Sequence, residues 1–391
     1  MIRSLLLVPD SLVHPIGGMG VQLRGILNGA RAACRDLQFL VVGSNGERQD
    51  GENFVYVPHL TSPIVQGPSM YANNFVGFAQ ATYVDTALWL AQQGEPVDVV
   101  HAFDWSSAYA GMVVARRVGV PLVVTFQLSY AALLLETKPI LQDEDVSLAN
   151  TALAVETAMC REAAAVIHVS KAYQRFWSML LPEQAGKMVV IPNGVEMPRE
   201  PMPRPSFYHT DKFNLLYIGR TCVQKGSHLL LDAVERLPHG ARLHWAGDEN
   251  GGAPELWDSV QRARQMGKIN LLGYLQGDEK AAALQHADAV IMPSTHEPFG
   301  IVALEAMACG TPLITTAVTG LGEFCGASNS IGIEPCVDGI VDGVRRAMQL
   351  SVTEKAALVA AGVNTSRQFR WDEIARQLSV VYESICPSAR L

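Results

Sequence analysis

Short apolar runs, many of them β-branched, alternate along this chain with segments whose apolar positions recur every three to four residues. That alternation predicts βαβ units built on parallel sheets. Strands are expected at residues 2–8, 39–43, 98–101, 122–126 and 165–169, with helices over 21–34, 75–92, 107–117 and 147–161. Together they form one doubly wound sheet. Residues 197–205 then carry four prolines, Pro198, Pro201, Pro203 and Pro205, and predict an extended linker. A second series follows, with strands at 214–218, 241–246, 269–272, 289–292 and 312–315 and helices at 227–237, 278–286 and 300–309. Two further helical patterns, 354–369 and 371–385, come after it. The predicted class is α/β, two Rossmann-like domains in tandem.

A chain of 391 residues is long for one ordinary domain and suits two, each with its own core. Hydrophobic residues make up 49% and charged residues 17%, which excludes a disordered or coiled-coil chain. The net charge of −8 is spread over both halves, with 12 Lys/Arg against 16 Asp/Glu in residues 1–195 and 18 against 22 in the rest. Neither half therefore attracts nucleic acid or anionic lipid by bulk charge. The first apolar run is cut short by Pro9 and Asp10, so it predicts a buried strand rather than a signal peptide. No stretch reaches the roughly 18 apolar residues of a membrane span, because the best one, near Val113, is broken by Arg116 and Arg117. The expectation is a cytoplasmic protein with at most a peripheral membrane contact. Seven cysteines without a Cys-x-x-Cys pair fit a reducing compartment and no structural metal.

In open α/β sheets, ligands gather at the carboxyl ends of strands, where helix N-termini present free N–H groups to anions. Gly17-Gly18-Met19-Gly20 lies between the first strand and its helix. Such glycines let backbone approach a diphosphate or a sugar, and serve a plain tight turn equally well. In the second half, Gly219 and Arg220 end the opening strand and Lys225-Gly226 precede the next helix. A guanidinium fork and a mobile ammonium placed there suit a diphosphate; their bland alternative is a pair of solvated loop cations.

The densest pattern runs Pro293-Ser294-Thr295-His296-Glu297-Pro298-Phe299-Gly300-Ile301-Val302-Ala303-Leu304-Glu305-Ala306-Met307-Ala308, stopped by Gly310 and Pro312. Glu297 falls in the turn before a helix, and Glu305 two turns along a helix that is otherwise apolar. A carboxylate on a buried helix needs hydrogen-bonding partners, which sugar or ribose hydroxyls supply and nearby backbone could supply instead.

Together these segments resemble the retaining GT-B glycosyltransferases of family 4 and, more distantly, the bacterial glycogen synthases. The likeness spans nearly the whole chain: Gly17-Gly18, His101-Ala102-Phe103-Asp104-Trp105, Val190-Ile191-Pro192-Asn193-Gly194-Val195, Gly219-Arg220 with Lys225-Gly226, Gly247-Asp248, and Glu297 with Glu305. It implies two Rossmann-like domains facing across a cleft. Residues 1–197, completed by the helix of 371–391, form an acceptor domain, and residues 206–370 a donor domain. It further implies that Glu297 holds the C3 and C4 hydroxyls of the donor sugar, assisted by backbone N–H groups of Phe299, Gly300 and Ile301, with Val302 beside them. Glu305 would bond the ribose and Arg220 and Lys225 the diphosphate. Gly247, Tyr274 and Leu275 would line the base pocket, and Asp104 would lie near the sugar. Where many relatives carry a histidine, this chain has Gln127. That amide can donate to a sugar C6 hydroxyl but carries no titrating charge.

The resemblance implies a nucleotide-diphosphate sugar donor, UDP-glucose ahead of GDP-mannose and UDP-N-acetylglucosamine, and a glycan, lipid-linked or small-molecule acceptor. It implies transfer with retention of anomeric configuration, in polysaccharide or glycoconjugate synthesis. No metal or other cofactor is expected. Asp143-Glu144-Asp145 could mimic a metal-binding Asp-x-Asp, but it lies in a polar stretch between two helical patterns and predicts a solvated loop. Rival readings are a nucleotide-sugar epimerase, a phosphorylase-like enzyme, and a nucleotide-sugar-binding protein without turnover.

Overall fold

A computed structural model of the chain describes residues 1–10, 12, 18–44, 47–59, 80–93, 96–137, 143–198, 200–247 and 254–386. Gly17 and Asp248 lie outside the described residues, as do residues 75–79 of the second expected helix. The chain divides into two compact units, residues 1–194 with 371–391, and residues 195–370.

The first unit is built on an eight-stranded sheet. Its strands are β1 (Ile2–Val8), β2 (Leu37–Ser44), β3 (Gln49–Asp50), β4 (Phe54–His59), β5 (Val99–Phe103), β6 (Leu122–Phe126), β7 (Ala165–His168) and β8 (Met188–Val190), in the order β3-β4-β2-β1-β5-β6-β7-β8. All pairs are parallel except β3 with β4. Central β1 is apolar on both faces because helices cover both, and Leu5, Leu6 and Leu7 are fully buried. The helices are α1 (Gly18–Ala33), α2 (Gln80–Ala91), α3 (Asp104–Val118), α4 (Tyr130–Thr137), α5 (Asp143–Glu162) and α6 (Lys171–Leu180). Three of these starts differ from the sequence expectation, α3 by opening at Asp104 rather than at 107. Gly18 is already the first residue of α1, so the glycine run is a helix entry more than a loop. Asp143-Glu144-Asp145 opens α5 instead of forming a loop.

The second unit carries a six-stranded parallel sheet. Its strands are β9 (Phe213–Ile218), β10 (Ala241–Ala246), β11 (Ile269–Gly273), β12 (Ala289–Met292), β13 (Leu313–Thr315) and β14 (Ile331–Gly332), in the order β11-β10-β9-β12-β13-β14. Helices α7 (Ser227–Ala233), α8 (Pro254–Gln265), α9 (Gly277–His286), α10 (Ile301–Ala308), α11 (Val337–Gln349) and α12 (Val352–Ser366) complete it. The change of direction in strand order lies between β9 and β12, where open sheets bind ligands. The proline-rich segment is tied to this unit: the Met202 N–H donates to Gln285 Oε1 at 2.7 Å, and the Glu200 carbonyl accepts from Gln285 Nε2 at 3.2 Å.

The last helix, α13 (Trp371–Ile385), belongs to the first unit and packs on α1. Glycines make room for it. A Cβ at Gly25 would lie 2.1 Å from the Trp371 ring, and one at Gly29 would lie 2.2 Å from the Trp371 carbonyl. Tyr382 anchors the far end, its hydroxyl 2.6 Å from His101 Nδ1 and 3.2 Å from Ser4 Oγ. Burial lowers the His101 pKa to about 3, so the imidazole is neutral, and it bonds Thr125 Oγ1 through Nε2 at 2.7 Å. Among the described residues, no helix is long and apolar enough to cross a membrane.

Candidate functional site

In the second unit the ends of β9, β10 and β11 converge. The Gly219 N–H donates to the Ala246 carbonyl at 3.0 Å and the Gly247 N–H to the Gly273 carbonyl at 2.9 Å. A Cβ on Gly247 would stand 2.5 Å from the Gly219 carbonyl oxygen, so only glycine allows this approach. Arg220 is exposed just beyond the strand, with Nη2 3.3 Å from Gln224 Oε1. Its carbonyl is held by the buried Tyr217 hydroxyl at 2.8 Å. Tyr274, 43% exposed, and the half-buried Leu275 follow β11 directly.

Lys225 closes a single 3-10 turn before Gly226, whose φ of +68° starts α7. A side chain at Gly226 would be strained, and its Cβ would come 1.9 Å from the Pro293 carbonyl oxygen after β12. This close approach brings Lys225 beside the turn that carries Glu297, and Nζ lies 2.6 Å from Glu297 Oε2. The side chains are 22% and 6% exposed. Ser294 Oγ donates to the same Oε2 at 3.3 Å. Among the described residues no donor bonds Oε1, so one carboxylate oxygen is fixed and the other is open to a hydroxyl.

The turn then enters α10 through Gly300 at φ +104°, where a Cβ would meet Leu321 at 2.4 Å. Ile301 and Val302 form the helix's first turn, whose N–H groups have no carbonyl a turn behind them inside the helix. The Phe299 ring points away from this role, packing with Phe324 and Phe369 at centroid distances of 5.3 and 5.7 Å. Among the described residues, no backbone N–H donates to the Glu305 carboxylate. Lys280 of α9 straddles its carboxylate, 2.7 Å from Oε1 and 2.6 Å from Oε2.

The first unit has its own polar cluster at the ends of β5 and β6. Asp104, 4% exposed, adopts φ +55° and accepts through Oδ1 from the N–H groups of Gln127 at 2.6 Å and Leu128 at 3.1 Å. The Gln127 side chain forms a reciprocal amide pair with Asn193: Nε2 donates to Asn193 Oδ1 at 2.8 Å and Oε1 accepts from Asn193 Nδ2 at 3.0 Å. One N–H and one lone pair remain on each amide for any further partner. Gly18 is exposed at the start of α1, and the Gly20 N–H is capped by Asp10 Oδ2 at 2.8 Å.

Residues 212–349 match the family described as Glycosyl transferases group 1, and residues 17–194 the Glycosyl transferase 4-like domain. The glycogen synthase of Mycobacterium tuberculosis is 32% identical over 296 residues, 73% of this chain and 68% of that protein. This chain belongs to the GT-B glycosyltransferases of family 4 type. Among solved structures, sucrose-phosphate synthase from Thermosynechococcus elongatus shares the fold at a TM-score of 0.82 and 19% identity, covering 99% of this chain and 100% of that one. Anabaena HepE in complex with UDP and glucose shares it at 0.72 and 20%, covering 98% and 100%.

Three features of this glycosyltransferase escaped the sequence reading. Lys280, in the expected helix over 278–286, was not singled out. Glu156, fully buried on α5, grips the segment after β6: its carboxylate accepts from Ser129 Oγ at 3.0 Å and from the N–H groups of Tyr130 at 2.8 Å and Ala131 at 3.2 Å. The signal was present, since a lone carboxylate among apolar helical residues is the feature that singled out Glu305. Thr319 is the third, a β-branched residue at φ +46°. The neighbouring Gly320 N–H donates to the Glu297 carbonyl at 2.9 Å, so this turn supports the Glu297 turn.

Two predictions follow from these environments. Burial pushes Asp104 up to about 7, against the pull of its two backbone N–H donors, and Glu156 up to about 8, with Asp104 adding to the rise. An acid whose folded pKa is raised holds its proton longer in the folded state than in the unfolded one. The stability these two carboxyls contribute is therefore fully present below about pH 4 and lost as pH rises toward 8; the neutral His101 and His168, both lowered to about 3 by burial, oppose that trend below about pH 6.5, so the net fall should show between about pH 6.5 and 8. Asp104→Asn keeps the accepting oxygen and tolerates the left-handed backbone, so it should flatten this slope in urea titrations between about pH 6.5 and 8. An unchanged slope would remove Asp104 as a cause. For Thr319→Gly, relief of the left-handed strain should outweigh the added freedom of the unfolded chain and stabilise the protein by about 1 kcal/mol. A lowered melting temperature would show that the threonine contacts outweigh the strain.

Proposed function

We propose that this enzyme is a retaining glycosyltransferase that moves glucose from UDP-glucose to a hydroxyl of a glycan, lipid-linked or small-molecule acceptor, in cytoplasmic polysaccharide or glycoconjugate synthesis. The observation that carries the reading is the Lys225–Glu297 pair at 2.6 Å beside the Gly219–Arg220 strand end. One arrangement there offers cations for a diphosphate and an oriented carboxylate for sugar hydroxyls. The UDP and glucose complex of Anabaena HepE supports the choice of donor. Glu297 Oε1 accepts from the sugar C3 and C4 hydroxyls, Arg220 and Lys225 bind the diphosphate, and Glu305 holds the ribose. Gly247, Tyr274 and Leu275 flank the base.

The costly event is departure of the nucleoside diphosphate while positive charge builds at the anomeric carbon. The C1–O(phosphate) bond breaks, the acceptor oxygen bonds C1 on the same face, and the acceptor's proton passes to the leaving phosphate. Preorganised cations stabilise the growing negative charge, commonly a large share of catalysis. No metal takes part in this scheme.

Thermal unfolding with UDP-glucose, GDP-mannose and UDP-N-acetylglucosamine tests the donor. A ligand at 100 times its Kd stabilises by about 2.7 kcal/mol, and UDP-glucose should give the largest shift. Nucleotide release with acceptor mixtures should persist in excess EDTA and yield product of retained configuration by NMR. Activity lost on chelation and restored by Mn²⁺ would overturn the metal-free reading. Binding with no nucleotide release across the mixtures would favour a protein without turnover.

A further inference from the structure

We propose that Lys280 is a positioning residue for the nucleotide: it orients the Glu305 carboxylate toward the ribose hydroxyls, an inference that rests on reading Glu305 as the ribose-binding group. Glu305 is the one charged residue of α10, among Ile301, Val302, Ala303, Leu304, Ala306, Met307 and Ala308. Such a helix offers no polar neighbour to fix a carboxylate, and a side chain left alone there swings to water. The ammonium of Lys280 sits almost equidistant from the two carboxylate oxygens, at 2.7 and 2.6 Å. The two side chains are only 18% and 19% exposed, so the contact is more than a surface ion pair. Their shared surroundings show in Cys309, pushed up to about 12 chiefly by burial, with Glu305 raising it and Lys280 lowering it.

The origin of Lys280 gives the contact a second consequence. It stands in the first turn of α9, directly after the turn carrying Tyr274 and Leu275, and that turn is bracketed by Gly273 at φ +73° and Gly277 at φ +52°. The ion pair thus ties the segment proposed beside the base to the carboxylate proposed for the ribose, fixing the spacing between two parts of one nucleoside. The lysine's hydrogen bond goes to Oε1, while Oε2 is buried and has no hydrogen-bond partner among the described residues, which leaves it to accept from a hydroxyl.

Calorimetric titration of the full chain with UDP and with 2′,3′-dideoxy-UDP separates this role from simple attachment of α9 to α10. The pair of probes is repeated with GDP and its dideoxy counterpart, and the base that binds the wild type carries the comparison. Wild type should favour the ribonucleotide. Lys280→Met should weaken it about tenfold and leave the dideoxy form almost unchanged, and Lys280→Arg should restore most of the preference. Under saturating donor, kcat of Lys280→Met should stay within about twofold of wild type, because the ribose contacts are made equally before and during transfer. Equal weakening of both nucleotides, or an unaltered preference in a folded Lys280→Met, overturns the proposal. Absence of any ribose preference in the wild type overturns the Glu305 reading itself, and the two failures are told apart by which protein shows them.

Discussion

Lys225→Ala is expected to lower kcat by about a hundredfold or more and to weaken nucleoside diphosphate binding at the same time. Two effects combine. The leaving diphosphate loses a cation whose attraction grows as its charge develops. Glu297 also loses the partner that fixes Oε2, leaving a carboxylate that is only 6% exposed with Ser294 as its one remaining side-chain donor among the described residues. Removing one member of a buried pair costs more than the pair's net worth, because the other charge stays behind. The losses from Lys225→Ala and Glu297→Ala should therefore not add: the double variant should transfer sugar nearly as well as the worse single one. Steady-state kinetics decides the matter. A raised KM with unchanged kcat would make Lys225 a ground-state anchor only.

The fold was legible because its signals are local. Apolar runs of strand length, each followed by an amphipathic helix, gave the parallel sheets and their sequence order without knowledge of contacts. Some of the elements that were missed have non-local causes. Helix α11 carries Gly339 and Gly343, poor helix formers, and Gly343 is tolerated because a Cβ there would lie 2.4 Å from Ile333 and 2.9 Å from Ile314. Strand β4 contains Pro58, which argues against a paired strand, yet β4 lies between β2 and β3. Lys171–Leu180 was passed over although Ser170 caps it by accepting from the Tyr173 N–H.

The candidate site divides in the same way. Glu297, Gly300 and Glu305 were visible because their spacing within one turn and one helix is itself the signal. Their partners were harder. Lys225 was expected to face phosphate, and its pairing with Glu297 depends on β9 and β12 being neighbours in the sheet, which sequence order does not state. Lys280 meets Glu305 across 25 residues for a similar reason. Gln127 shows the limit most clearly. Its departure from the family pattern was evident, but its amide partner Asn193 lies 66 residues away, and the pair leaves the glutamine a smaller share of its bonding capacity for a ligand than the residue alone suggested. Asp104 was chosen for its place in a motif, and its strained backbone and two N–H donors are properties only the folded chain has.

Glu297→Ala should match Lys225→Ala in lost transfer but part from it in nucleotide affinity, which makes it the sharper test of the proposed sugar contact. Sugar transfer should fall by about a hundredfold or more, because the hydroxyls that orient the anomeric carbon lose their acceptor and a misplaced reacting centre is costly. Nucleoside diphosphate affinity should hold steady or tighten. Without Glu297 the Lys225 ammonium has no carboxylate at 2.6 Å to compete with a phosphate, and its own side chain, 22% exposed, keeps some contact with water. Glu297→Gln separates charge from hydrogen bonding: its amide oxygen still accepts from a hydroxyl but no longer neutralises Lys225, so it should recover part of the transfer rate while matching Glu297→Ala in nucleotide affinity. Calorimetry with UDP and initial rates with UDP-glucose, run on all three proteins, give the comparison. Parallel losses of nucleotide binding and transfer in Glu297→Ala would move Glu297 from the sugar to the phosphate side of the site.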